Sequence, residues 1–169
     1  MEFWFIPLDM IMFVLVICAM IFSLIFLSII IFDRTCRTVS MLLTANTCLA
    51  HFLLGCDMFA VCLVMIHNDL IEIQSSDRFC QARGYFGYSI VFIFNFSFVL
   101  QAFHRYVMVV YPTRLFWRSG KNQLLFISCV WIIGFLHSIH TIVYNEIVHD
   151  INNHICQVPL RLSFTVIYL

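Results

Sequence analysis

Residues 10–32 form an apolar run of 23 residues whose only polar members are Ser23 and Ser28. At about 1.5 Å of rise per residue, a helix of this length crosses the hydrocarbon core of a bilayer. The whole chain shares this character, since 63% of its residues are hydrophobic and 11% are charged, against about 25% charged in a soluble domain. The sequence therefore predicts an integral membrane protein in contact with the lipid bilayer.

A secretory signal peptide is the alternative interpretation of this first run. The amino-terminal residues Met-Glu-Phe-Trp carry no positive charge, and no small-residue cleavage site follows the run. The apolar segment is also longer than a signal sequence requires. We therefore interpret it as the first transmembrane span.

Hydropathy divides the chain into five apolar segments separated by polar stretches. We predict four complete spans and a partial fifth, at about residues 10–32, 41–66, 78–110, 124–144 and 160–169. The fifth segment is too short to cross as a helix, so we expect the sequence to end inside that element. No internal repeat or low-complexity segment interrupts the pattern, which predicts one all-α transmembrane domain over residues 1–169.

The Lys and Arg residues predict the orientation of these spans. Three of them lie on one side, at Arg78, Arg83 and Arg161. Six lie on the other side, at Arg34, Arg37, Arg105, Arg114, Arg118 and Lys121. By the positive-inside rule the six-charge side is cytoplasmic, which gives an extracellular amino terminus in the plasma membrane. The net charge is zero, so nothing favours a nucleic-acid partner.

The third span carries a recognisable arrangement of residues. Cys80 lies at its outer end, Arg105 and Tyr106 lie at its inner end, and Val109 and Pro112 follow. In this order and at this spacing they resemble the third helix of the rhodopsin-like (class A) G-protein-coupled receptors. The resemblance implies the amino-terminal portion of such a receptor. That portion is a partial seven-transmembrane helix bundle containing the first four helices and the start of the fifth.

Two other spans extend the resemblance. Asn46-Thr-Cys-Leu-Ala-His51 is similar to the family's Asn-Leu-Ala-Leu-Ala-Asp in the second helix, and Trp131 matches the family's single Trp in the fourth. The resemblance implies that Asn46, His51 and Trp131 pack between helices. An ordinary Trp at the bilayer is the alternative for Trp131. In the first span the family's Asn is replaced by Ser23.

Among the eight cysteines, Cys80 and Cys156 alone fall at the predicted outer face. An oxidising compartment would join them, and the resemblance implies the same disulfide. Two unrelated thiols are the alternative. Residues 146–150 and 154–158 flank Ile151-Asn-Asn153, and this pattern predicts a small β-hairpin in the second extracellular loop.

The chain departs from the family beside Arg105. The family usually has an acid immediately before that Arg, whereas this chain has His104. The resemblance implies that His104, Arg105 and Tyr106 form the G-protein-coupling motif. A neutral His cannot hold Arg105 in an ion pair, so we expect raised basal signalling. The alternative for Arg105 is an interfacial anchor that extends its charged group to the membrane surface.

A second departure concerns a sodium ion that the family holds with an Asp of the second helix and a Ser of the third. The matching residues here are His51 and Phe94, neither of which offers the hard anionic oxygen that an alkali cation prefers. We expect no such sodium site. His51 is interpreted either as a neutral side chain hydrogen-bonded between helices or as a proton-sensitive hinge.

The sequence gives little information about the chemical class of the ligand. In the family an amine ligand meets an Asp eighteen residues before the Arg, and the residue here is Gly87, which disfavours a biogenic amine. A peptide ligand is compatible with the predicted hairpin over the outer face. It is also compatible with the lack of an acidic residue at this position of the third span. The candidate lining residues from these helices are Tyr85, Gly87, Tyr88, Val91 and Asp57.

Two functions follow from these observations. The first is a receptor that transmits the binding of an extracellular ligand to a cytoplasmic heterotrimeric G protein, although without the fifth to seventh helices the chain should not signal alone. The alternative is a truncated non-signalling membrane protein acting by association, or a small multi-span transporter or scaffold. No nucleophile motif or phosphate-binding loop suggests an enzyme or a cofactor, and His137 with His140 offers too few ligands for a metal.

Overall fold

The computed structural model describes residues 5–33, 38–71, 80–111, 119–143, 148–150 and 155–157. The predicted fifth element at 160–169 and Pro112 lie outside these residues. The ends of the helices near Phe32, Val39, Val110 and Gly120 are called inner, following the predicted orientation, and the opposite ends are called outer.

The described residues fold into four long helices: α1 (Phe5–Phe32), α2 (Val39–Ile71), α3 (Cys80–Val110) and α4 (Gly120–Val143). Each contains a stretch long and apolar enough to cross a membrane. The prediction of a helical membrane domain with four complete spans agrees with these helices.

Three helices extend past the apolar intervals predicted from the sequence. Helix α1 begins five residues before position 10. Helix α2 continues five residues beyond position 66, and α4 begins four residues before position 124. Hydropathy detects the part of a helix that needs lipid, whereas the backbone hydrogen bonds continue into the polar ends. Helix α2 begins at a capping residue, since Thr38 Oγ1 accepts a hydrogen bond from the backbone N–H of Met41 at 3.3 Å.

The helices pack in the order of the chain. Helix α1 packs mainly on α2, α2 on α3, and α3 on α4, while α2 also touches α4. The buried apolar side chains of the described residues all lie on α2 and α3, at Leu43, Ala50, Ile90, Ile93 and Val107. Large apolar side chains are exposed around most of α1, which suits a helix that faces lipid.

Helices α3 and α4 approach closely at a glycine. A Cβ atom at Gly134 would lie 2.5 Å from Ile93 Cγ1, which is closer than any real side chain tolerates. Small residues permit this kind of close helix contact in membranes, where van der Waals packing supplies much of the attraction. Gly134 therefore brings α4 against the most buried part of α3.

Two short strands follow α4. Strand β1 (Val148–Asp150) pairs antiparallel with β2 (Ile155–Gln157), and His149 lies opposite Cys156. The structure thus contains the hairpin that the sequence predicts in this loop, and β2 lies against α3. The side chains of Cys80 and Cys156 are outside the described part of the chain, so their disulfide stays a prediction.

Candidate functional site

A buried amide joins three of the four helices. Asn46 on α2 donates from Nδ2 to Ser97 Oγ on α3 at 2.8 Å, and its Oδ1 accepts a hydrogen bond from Trp131 Nε1 on α4, also at 2.8 Å. Ser97 Oγ in turn donates to the carbonyl of Ile93 at 2.7 Å. The polar atoms of this cluster therefore satisfy one another in an apolar environment. The structure brings together Asn46 and Trp131, two of the three residues predicted to pack between helices.

The third of these residues, His51, connects a different set of helices. Its Nδ1 is 2.7 Å from Ser23 Oγ on α1, and its ring stacks on Phe94 of α3 with centroids 5.4 Å apart. The imidazole thus links α1, α2 and α3 through one hydrogen bond and one aromatic contact. The absence of a sodium site here remains a prediction.

The contact of Gln101 with α2 was not predicted from the sequence. Gln101 on α3 donates from Nε2 to Thr47 Oγ1 and to the carbonyl of Leu43 on α2, the latter at 3.3 Å. Gln101 lies four residues after Ser97, on the same face of an apolar helix. A polar residue inside a membrane span usually faces a partner helix, and that spacing is the signal from which the contact could have been inferred.

The inner end of α3 presents its charged residue outward. His104 is buried, with 7% of its surface exposed, and its Nε2 has no hydrogen-bond partner in the described part of the chain. Arg105 is exposed and Tyr106 is 58% exposed. Successive residues of a helix point about 100° apart, so His104 and Arg105 occupy different faces. No ion pair to Arg105 is formed among the described residues.

The outer half of α3 meets α2 through a carboxylate. A Cβ atom at Gly87 would lie 2.7 Å from Oδ2 of Asp57, so the side chain of Asp57 lies directly on the glycine. Asp57 is partly buried and is attracted electrostatically by Arg83, one turn farther out on α3. Two of the predicted pocket residues are therefore in contact.

The other predicted pocket residues lie nearby along α3 but differ in role. Tyr85 donates a hydrogen bond from its hydroxyl to the carbonyl of Phe135 on α4 at 3.1 Å. This bond connects α3 with α4. Tyr88 is partly buried, and Val91 is 39% exposed. Tyr85 is thus a helix-packing residue, whereas Val91 presents an accessible surface one turn from Gly87.

A metal site is not evident in the residues that the structure describes. They contain no group of three or more His, Cys, Asp or Glu side chains positioned to hold an ion. His137 and His140 lie close together on α4, and His137 packs on Phe92 of α3 with ring centroids 4.8 Å apart.

Four helices able to cross a membrane, three of them joined through the side chains of Asn46, Ser97 and Trp131, define an integral membrane protein of the helical-bundle class. The family described as 7 transmembrane receptor (rhodopsin family) matches this chain over residues 23–168. The chain belongs to that family, which confirms the resemblance to class A G-protein-coupled receptors and makes it a receptor of the signalling type. A comparison with curated proteins finds no match.

Proposed function

We propose that this receptor transmits the binding of an extracellular ligand to a heterotrimeric G protein through the inner end of α3. The single observation that carries the proposal is the exposure of Arg105, beside the buried His104. An exposed guanidinium with no ion pair in the described part of the chain is available to a protein partner. Its five N–H donors suit carbonyl or carboxylate groups of such a partner.

The identity of residue 104 sets the basal activity. An acid at this position would attract Arg105 and hold it against α3, whereas a histidine does not supply a fixed negative charge. The equilibrium between resting and signalling conformations is therefore biased toward the signalling side. We expect the wild-type receptor to support nucleotide exchange without added ligand.

The experiment measures basal GTP-analogue binding to G proteins in membranes that contain the full-length receptor. His104→Asp should lower the basal rate several-fold, and Arg105→Ala should abolish it. Lys121→Ala is the matched control, because it removes an exposed cation at the inner end of α4. If the Lys121 variant loses as much exchange as the Arg105 variant, or if His104→Asp leaves the rate unchanged, the proposal is wrong.

The orientation and the disulfide belong to the same proposal. The six Lys and Arg residues on one side support an extracellular amino terminus in the plasma membrane. Strand β2, which contains Cys156, lies against α3, which begins at Cys80, and this supports their pairing. Mass spectrometry of non-reduced peptides should recover residues 80 and 156 in one cross-linked pair. Finding both as free thiols in folded receptor would contradict it.

The ligand is a peptide in this proposal. The supporting features are a hairpin at the outer face and the absence of an acid on α3 at Gly87, the position where an amine would be met. Residues 1–169 act as one transmembrane domain, in which Asn46, His51 and Trp131 hold the helices together while the outer half of α2 and α3 contributes to the pocket.

A further inference from the structure

Asp57 is the only acidic residue inside the four candidate spans of the described chain. It lies on α2, ten residues inward from the outer limit of its span at His67. An ionised carboxylate at such a depth costs several kcal/mol unless it is paired or faces a water-filled cavity. We therefore expect the carboxylate of Asp57 to have a positively charged or hydrogen-bonding partner, or to face water.

The described residues do not supply that partner by direct contact. No hydrogen bond to the carboxylate is seen among the described residues, and Arg83 attracts it electrostatically. A carboxylate offers about four lone-pair sites for donors. By comparison, Asn46 is hydrogen-bonded through both its amide nitrogen and its amide oxygen. The carboxylate of Asp57 thus lacks the hydrogen bonds that the amide of Asn46 makes.

The lack of a side chain at Gly87 lets the carboxylate of Asp57 lie against α3. A Cβ atom at that position would lie 2.7 Å from Oδ2, so the carboxylate in its present position occupies the space that a side chain would take. One turn farther in, Val91 is 39% exposed on the same face of α3. The carboxylate consequently borders an accessible surface in the outer half of the helices.

We propose that Asp57 binds a positively charged nitrogen of the extracellular ligand. This proposal rests on the receptor function proposed above and names the chemistry of its ligand. The absence of an acid at Gly87 disfavours an amine by sequence, but the carboxylate of α2 occupies the space beside that glycine. The nitrogen is an ammonium or guanidinium of the peptide proposed above. Recognition of a small amine instead would keep the site and overturn the assignment to a peptide.

The test measures the electrostatic potential at the site with thiol reagents of opposite charge. A reporter thiol is introduced by Val91→Cys in the full-length receptor, in a Cys56→Ala background because Cys56 adjoins the site. Cells are exposed to cationic trimethylammonioethyl methanethiosulfonate or to anionic sulfonatoethyl methanethiosulfonate, and the two modification rates are compared. The same receptor with Val91 intact gives the background from the remaining cysteines.

Asp57→Asn should lower the cation-to-anion rate ratio by about fivefold or more, because it removes a negative charge within a Debye length of the reporter. Asp57→Glu is the matched control and should keep the ratio, since it keeps the charge. Arg83→Gln provides a second variant in case Asp57→Asn fails to reach the surface, and it should raise the ratio. A ratio that none of these substitutions changes, or a reporter that neither reagent reaches, would overturn the proposal.

Protection by defined probes then separates the two sources of the nitrogen. The small-amine probe is phenethylamine, with phenylethanol as its neutral control. The peptide probe is Ala-Ala-Arg-Ala-Ala amide, with citrulline replacing arginine in its control. Slower modification by either charged probe, lost in Asp57→Asn, supports the site and identifies the source. Equal protection of both receptors, or none by either probe, would overturn it.

The two proposals fail separately. The thiol assay needs no G protein, so an unchanged rate ratio with Arg105-dependent nucleotide exchange would overturn only the ligand site. A charge-dependent ratio without Arg105-dependent exchange would leave the cation site supported and overturn the coupling mechanism.

Discussion

The inner and outer halves of the interface between α2 and α3 are built differently. In the inner half Asn46 and Thr47 face Ser97 and Gln101, and each of these side chains makes a hydrogen bond. In the outer half Asp57 lies against Gly87 and makes none within the described residues. Buried polar groups that satisfy one another stabilise a bundle, whereas an accessible charge without a hydrogen bond contributes little to packing. The difference supports a structural role for the inner half and is the basis of the ligand site that we propose in the outer half.

The largest expected effect comes from the inner half. Asn46→Leu removes two interhelical hydrogen bonds and leaves the Trp131 indole without its acceptor. We expect a loss of about 2 kcal/mol in the free energy of unfolding, and a thermal midpoint lower by about 5 °C. The measurement is thermal unfolding of the receptor in lipid nanodiscs.

Thr44→Ala on the same helix is the control for this change. Thr44 Oγ1 donates only to the carbonyl of Ser40 within α2, so its loss should cost less than about 0.5 kcal/mol. Equal destabilisation by the two substitutions would show that Asn46 does not join the helices, and the contrast between the two halves would lose its main support.

The second largest effect tests whether α3 and α4 pack as closely as the contact between Gly134 and Ile93 indicates. Gly134→Ala places a methyl group 2.5 Å from Ile93 Cγ1, and we expect a loss of about 1–2 kcal/mol after the gain in helix propensity. Gly120→Ala is the matched control, because nothing lies within 4 Å of a Cβ atom there. Unchanged thermal midpoints for both variants would contradict the close approach.

The sequence predicts the helices more completely than it predicts their contacts. Apolar length and the Cys80 to Arg105 spacing identify the spans and the family, because lipid imposes one length and the motif lies at the ends of one helix. The roles of Gln101 and Gly87 depend on the rotation of α3 against α2, which hydropathy does not contain. Asp57 was among the candidate lining residues, but its contact with Gly87 depends on the register between two helices.

A third effect concerns the middle of the bundle, between the two halves. Ser23→Ala and His51→Leu each remove the hydrogen bond between α1 and α2, so the double variant should lose less stability than the sum of the single variants. We expect a coupling energy of about 1 kcal/mol from the thermal midpoints of the four receptors. Additive losses would mean that the bond does not form in the membrane.

The smallest expected effect on stability is that of Asp57→Asn, which directly tests the difference between the inner and outer halves of the α2–α3 interface. Asp57→Asn keeps the shape of the side chain and removes its charge, and no hydrogen bond within the described residues is lost. We therefore expect its thermal midpoint to stay within about 2 °C of wild type, equivalent to less than about 0.5 kcal/mol. A drop as large as that of Asn46→Leu would show that Asp57 is paired within the protein. In that case the outer half would stabilise the bundle as the inner half does, and the carboxylate would already be paired with a group of the protein instead of a ligand.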